Sequence, residues 1–248
     1  MIFVLDVGNS RLKWGFADGG NIVESGEDVH PARLSAFAAK NWQNQERPVR
    51  AIISNVGKTS IGDRIRQWVV RHWEMEPQFL SSQATYGDVK NAYIESSQLG
   101  SDRWAALIAA RQVTTSPVVI IDCGSAITID VLSAQGEHLG GLIIPGLEMM
   151  RTSLVKKTER IELTDFDVQS PSFLARDTKR AVIGGTLYTA SAAIDRISHD
   201  VGAELGRETV YFITGGDAPQ FLPLLSGDYH HRPNLVLEGL VALASGEG

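Results

Sequence analysis

The sequence predicts an α/β protein built from two structurally related lobes, and three observations predict it. Short apolar, β-branched runs alternate with helical stretches in the strand, helix, strand order of α/β folds. An apolar run closed by Asp-x-Gly occurs twice, as Asp6-Val7-Gly8 and as Asp122-Cys123-Gly124. Each is followed at once by two more strands, and connections so short suit hairpins, because a parallel crossover needs a dozen or more residues. A duplicated meander on this scale implies two lobes facing each other across a cleft.

The first meander comprises residues 2–7, 12–17 and 21–24. A helical stretch at 31–42, a strand at 49–54, a helix at 61–72 and a strand at 77–80 complete the first α/β unit. The segment 81–98 is polar, and a helix is predicted over 101–113. The second meander uses 117–122, 126–132 and 138–144, followed by helices at 147–155 and 176–205, a strand at 209–213 and a closing helix at 235–245. No long flexible linker interrupts this order. The polar segment therefore marks the boundary, giving lobes 1–100 and 101–248.

Composition bounds the function classes. The chain has 248 residues, 43% hydrophobic and 21% charged, enough for two lobes with their own cores. Its net charge of -6 argues against a nucleic-acid-binding surface. The densest basic run, Lys156, Lys157 and Arg160, alternates with Glu159 and Glu162 and reads as a solvated helix face. The single cysteine, Cys123, excludes an internal disulfide and fits a reducing compartment. The start of the chain lacks a basic region before its apolar run, which Asp6 ends, so neither signal peptide nor anchor is expected. No uncharged apolar stretch reaches the ~18 residues of a membrane span, and a cytoplasmic protein is expected.

Two Asp-x-Gly strand ends suit Mg-bound phosphate. A carboxylate at the mouth of a sheet holds a cation directly or through water, and glycine lets backbone N–H groups approach phosphate oxygens. In the first lobe Asp6 would hold the cation, while Asn9, Ser10 and Lys13 donate to phosphate. Asp122, Gly124, Ser125 and Thr128 form the second loop. One isolated Asp-x-Gly is simply a hairpin turn, and it is the repetition that points to a nucleotide. Thr214-Gly215-Gly216-Asp217 closes another strand, where adjacent glycines suit an adenine or ribose and Asp217 equally suits a helix cap. His230-His231 reads as surface loop. Gly100-Ser101-Asp102-Arg103 opens a helix: Ser101 or Asp102 caps it, or Asp102 accepts the proton of an attacking hydroxyl while Arg103 meets an anion. A carboxylate is too weak to deprotonate an alcohol outright, but a loose phosphoryl-transfer transition state asks only for orientation and a late proton.

On these residues, together with Ser54-Asn55-Val56, Asn91-Ala92-Tyr93, Leu99 to Trp104 and Gly140-Gly141-Leu142-Ile143-Ile144-Pro145-Gly146, the chain resembles the type III pantothenate kinases. These belong to the acetate and sugar kinase, heat-shock 70 and actin superfamily. The resemblance implies duplicated actin-like (ribonuclease H-like) lobes, each a mixed sheet with flanking helices, with ATP in the cleft. It implies transfer of the ATP γ-phosphoryl to the primary hydroxyl of pantothenate, the first step of coenzyme A synthesis, with Asp102 as proton acceptor. Asp6, Val7, Gly8, Asn9, Ser10, Arg11, Leu12, Lys13 and Ser125 match ATP-binding positions, to which the reading adds Gly215 and Gly216. Tyr93, Gly100, Ser101, Asp102, Arg103 and Thr178 match pantothenate positions. Asp122 matches the ligand of a monovalent cation, K+ or NH4+, beside Mg2+ near Asp6. A homodimer is implied.

The chain departs from the family pattern at Ser10 and Ser125, where threonine is common, at Gly57, where proline is usual, and at Ser96-Ser97. Two other functions share the fold: a kinase for a sugar or another hydroxy acid, and a nucleotide-binding transcriptional accessory protein. Retention of Asp102 beside both Asp-x-Gly loops argues for the enzyme.

Overall fold

The computed structural model describes residues 1–29, 34–43, 45–157 and 173–246. The expected first turn of the 31–42 helix, Glu159, Arg160 and Glu162 of the basic run and the segment 163–172 lie outside the described residues.

The chain opens with β1 (Ile2–Val7), β2 (Arg11–Asp18) and β3 (Asn21–Val29), followed by α1 (Leu34–Asn41), β4 (Arg50–Asn55), α2 (Thr59–Trp73) and β5 (Gln78–Phe79). A small hairpin, β6 (Thr85–Tyr86) and β7 (Val89–Lys90), precedes a 3-10 turn at Ser96–Gln98 and α3 (Ser101–Val113). Then come β8 (Val118–Cys123), β9 (Ala126–Leu132), β10 (His138–Pro145), α4 (Leu147–Lys157), α5 (Thr178–Leu205), β11 (Val210–Thr214), α6 (Ala218–Phe221), β12 (Tyr229–His231) and α7 (Leu235–Ser245).

The two large sheets repeat one topology. The first has the order β3-β2-β1-β4-β5 and the second β10-β9-β8-β11-β12. In the first, β1 is antiparallel to β2 and parallel to β4; in the second, β8 is antiparallel to β9 and parallel to β11. The duplication expected from two Asp-x-Gly motifs is therefore a duplication of whole sheets.

Packing groups the chain into two compact units, Met1–Thr115 with Ala134–Gly140 and Asn234–Gly248, and Ser116–Ser133 with Gly141–Pro233. The division differs from one at residue 100, because α3 packs on α7 and β4, and α7 on β1 and β4. A polar segment in the sequence does not reveal that the next helix folds back onto the sheet before it.

Alternation along β1 fixes the core of the first unit. Phe3, Leu5 and Val7 share one face with Trp42 and with Ile65, Trp68 and Val69 of α2. Phe3 meets Trp42 edge-on at 5.0 Å and Trp73 at 4.9 Å. The intervening Val4 and its partner Ile52 on β4 are buried too. A sheet covered on both faces needs such unbroken apolar runs. In the second unit Val119, Ile121 and Cys123 pack with Ile213, Leu187, Ala190 and Ile194. Truncating one of these large buried side chains to alanine removes about 2–5 kcal/mol.

Several of the described elements exceed the sequence reading. β6 and β7 fold the polar segment into a hairpin, α6 follows the Gly-Gly turn, and His230-His231 is no free loop but the end of β12, paired in parallel with Phe212 and Ile213. A three-residue polar edge strand exists through its backbone partners and carries no apolar alternation to detect.

Candidate functional site

In the first unit, β1 delivers Asp6 to the end of the sheet between two neighbours. Its register partners are Lys13 on β2 and Ser54 on β4. The connecting turn closes with Gly8 N–H donating to the Arg11 carbonyl at 3.0 Å. Asn9 and Arg11 are exposed; Asp6, Gly8, Ser10 and Lys13 are half-buried, and Val7 and Leu12 are buried in the core. Glu27 faces both cations of the hairpin, 3.4 Å from Arg11 Nη1 and 3.6 Å from Lys13 Nζ. The hairpin thus presents polar groups on an apolar footing.

The loop after β4 closes over this turn. Val56 N–H and Gly57 N–H both donate to the Val7 carbonyl, at 3.0 and 3.1 Å, and Gly57 N–H also reaches Asn55 Oδ1. A Cβ at Gly57 would lie 2.7 Å from the Gly8 carbonyl oxygen. The residue standing where proline is usual is therefore one that lets two loops touch.

The helix carrying the expected proton acceptor starts beside the same strand end. Ser54 Oγ and Ser101 Oγ lie 2.9 Å apart, and both residues are buried. Asp102 is half-buried, with Oδ1 accepting from Arg103 N–H at 2.8 Å. Arg103 is buried and donates through Nη1 to the Tyr93 hydroxyl at 3.0 Å, its guanidinium 5.7 Å from the Tyr93 ring centre. Gly100, Ser101, Asp102, Arg103 and Tyr93 thus form one connected cluster. The Tyr93 loop is set by Asn91, whose Oδ1 accepts from Tyr93 N–H and whose Nδ2 donates to the Gln83 and Ser96 carbonyls.

The second unit repeats the device with a shorter turn. Asp122 lies between Thr128 on β9 and Thr214 on β11, as Asp6 lies between Lys13 and Ser54. Gly124 N–H closes the turn on the Ala126 carbonyl, and Gly146 N–H donates to the Ser125 carbonyl. Gly215 has φ +90°, and a Cβ there would strike the Cys123 carbonyl and the Asp122 carboxylate. Only glycine lets the 214–217 turn pass over this strand end, and Asp217 N–H donates to the Cys123 carbonyl at 2.9 Å. Asp122, Ser125, Gly215 and Gly216 are thereby brought together.

Beneath that turn lies a cation that no motif announced. Arg151 is buried, and its Nε donates to Thr186 Oγ1 at 3.1 Å. Burial lowers its pKa, while the charge of Asp217 acts in the opposite direction. Thr178 opens α5 behind Asp177, whose carboxylate accepts from Arg180 N–H. It is exposed along a groove between α4 and α5 also lined by Met149, Met150 and Leu154. Thr178 thus belongs to the second unit, whereas the other expected pantothenate positions belong to the first.

Known proteins resemble this chain in sequence and in fold. The family model described as type III pantothenate kinase matches residues 2–200. A type III pantothenate kinase of Nitrosococcus oceani is 42% identical, over 98% of this chain and 94% of its own. A conserved putative Baf family transcriptional activator from Campylobacter jejuni superposes with a TM-score of 0.59 at 18% identity, covering 99% of this chain and 100% of its own. The activator of 2-hydroxyisocaproyl-CoA dehydratase from Clostridium difficile, solved with bound ADPNP, gives 0.57 at 11% identity, covering 99% and 95%. At such identities the structural likeness speaks for fold alone, and the fold is the duplicated actin-like one.

Proposed function

Because this chain belongs to the type III pantothenate kinase family, we propose that it transfers the γ-phosphoryl of ATP to the primary hydroxyl of pantothenate, giving 4'-phosphopantothenate. The observation that carries the site assignment is the connected cluster at the start of α3. Asp102 there neighbours a serine bound to Ser54, itself the register partner of Asp6.

In this reading Asp102 orients the hydroxyl and takes its proton late at a carboxylate oxygen. Its Oδ1 already accepts the Arg103 N–H, so the carboxylate is held in one rotamer before substrate arrives. Arg103 and Tyr93, bonded to each other, meet the carboxylate and polar end of pantothenate, along with Gly100 and Ser101. Thr178 is a further pantothenate position in this reading. The hairpin from Asp6 through Val7, Gly8, Asn9, Ser10, Arg11 and Leu12 to Lys13 contacts the ATP phosphates, Lys13 exchanging Glu27 for phosphate oxygens. Ser125 adds a hydroxyl, and the Gly215-Gly216 backbone accepts the flat part of the nucleotide.

Hard cations fit the donors present. Magnesium needs only one or two carboxylates beside water and phosphate oxygens, and Asp6 supplies one, directly or through water. Asp122 would hold K+ or NH4+, and a side chain at Gly215 would strike its carboxylate. Bound magnesium supplies neutralisation of charge on the transferring phosphoryl. A homodimer in the cytoplasm completes the proposal. Exposed apolar residues, Leu142 and Ile143 on β10 and Met149 on α4, support association, and no described helix is long and apolar enough to cross a membrane.

The test is ADP release by purified protein with Mg-ATP and potassium, with and without pantothenate, beside Asp102→Asn. Turnover should require pantothenate and fall by about 10²–10⁴-fold in the variant. ATP binding without pantothenate-dependent turnover would overturn the assignment.

A further inference from the structure

We infer that His138 is a positioning residue for substrate binding, acting through Tyr93. The inference rests on the proposed reading that Tyr93 contacts pantothenate, and it adds a residue that no sequence motif contains. His138 begins β10 and is 3% exposed. Its ring lies nearly parallel to that of Tyr93, 11° between planes and 6.1 Å between centres, an offset stack. Its Nδ1 accepts a long hydrogen bond, 3.5 Å, from the N–H of Ala92. One imidazole therefore touches both the ring of Tyr93 and the backbone that leads into it.

The placement of that imidazole is itself fixed. Lys90 bridges Glu137 in parallel, and Lys90 N–H donates to the Gly136 carbonyl at 2.9 Å, so β7 and the start of β10 are locked in register on either side of the Tyr93 loop. Asn91 holds the loop backbone from one side, and Arg103 holds the Tyr93 hydroxyl from the end. Without His138 the ring would keep Arg103, at its hydroxyl and over the ring, but lose the stacked imidazole and the bond that imidazole accepts from Ala92 N–H. The expected loss falls on binding of the molecule that Tyr93 touches, leaving ATP affinity and the Asp102 proton transfer alone.

The experiment measures KM for pantothenate and for ATP separately, with kcat, in the full-length enzyme. Variants are His138→Ala, His138→Phe, His138→Asn, Tyr93→Ala and the double alanine variant, each with a thermal melt. His138→Ala should raise KM for pantothenate about tenfold, the scale of one hydrogen bond and one ring contact, with KM for ATP unchanged. His138→Phe, which keeps a ring, and His138→Asn, which keeps an acceptor near Nδ1, should each recover part of the loss. The double variant should bind pantothenate no worse than Tyr93→Ala, because His138 acts through that ring.

Equal rises in both KM values, or additive losses in the double variant, would overturn the role of His138 while leaving Tyr93 in the site. If Tyr93→Ala itself leaves KM for pantothenate unchanged, the reading of the site falls and the inference with it. Should His138→Ala not fold, the Phe and Asn variants decide: wild-type KM for pantothenate in both overturns the proposal.

Discussion

The hydroxyls of Ser54 and Ser101 share a hydrogen bond of 2.9 Å inside the first unit, joining the end of β4 to the first turn of α3. This bond sets where Asp102 stands relative to the strand end that carries Asp6. Ser54→Ala leaves the buried Ser101 hydroxyl without that partner and should destabilise the protein by about 1–3 kcal/mol, with kcat falling as the helix start shifts. Removing both hydroxyls should cost less than the two single losses combined, because neither group is then left unsatisfied. Thermal denaturation of both single variants and the double variant checks this, and strictly additive losses would sink it.

Gly57 is expected to resist any side chain. A Cβ at 2.7 Å from the Gly8 carbonyl must push the two loops apart, a strain of about 1–3 kcal/mol. Because the displaced loop is the one that follows the Asp6 strand end, Gly57→Ala should raise KM for ATP more than KM for pantothenate. Gly57→Pro should be worse, since it also deletes the N–H that reaches Val7 and Asn55. Steady-state kinetics at varied ATP settle the point, and an unchanged KM for ATP in Gly57→Ala would refute it.

Acid should loosen the hairpin of β6 and β7. Arg111 donates to Asp88 through Nε at 2.8 Å and holds its carboxyl below the usual carboxylate range, against a smaller opposing effect of desolvation. A folded-state pKa depressed in this way gives stability that is complete above about pH 4, the unfolded value, and is lost as pH falls through the folded value. Asp88 is more than half exposed, so the pair contributes about 0.2–1 kcal/mol. Asp88→Asn should lower the melting temperature slightly at pH 7 and converge with the parent protein in strong acid. A gap that widens towards low pH would contradict this sign.

Cys123 should be inert in the folded protein. It is fully buried, and burial raises its thiol pKa, with the charges of Asp122 and Asp217 adding to the rise. A thiol reagent at pH 8 should modify the native chain only at the rate of unfolding, and one thiol per chain in denaturant. Prompt labelling of the native protein would show that the strand end at Asp122 opens far more readily than its packing implies.

Much of the candidate site was legible because strand-end carboxylates and close turns need particular backbones. Asp6-Val7-Gly8 and Asp122-Cys123-Gly124 announce themselves because a carboxylate at a strand end followed by glycine is a local requirement. The helix of Asp102 was legible in full, from Ser101 to Val113. His138 was not. A histidine opening an apolar strand carries no periodic or motif signal, and its meaning appears only when Tyr93, 45 positions earlier, lies against it. Arg151 was likewise invisible, because nothing near it in sequence says that Thr186 and Asp217 will surround it.

The sequence by itself determined the duplicated α/β pattern and the two Asp-x-Gly turns, because strand alternation, turn chemistry and glycine at close approaches act over a few residues. Tertiary structure alone decided that α3 and α7 belong with the first sheet, that a three-residue polar strand at Tyr229–His231 joins the second, and that Ser54, Tyr93 and His138 meet around the start of α3. Those relations come from burial and pairing between distant segments, and a contact between residues tens of positions apart leaves no mark on the local pattern of either.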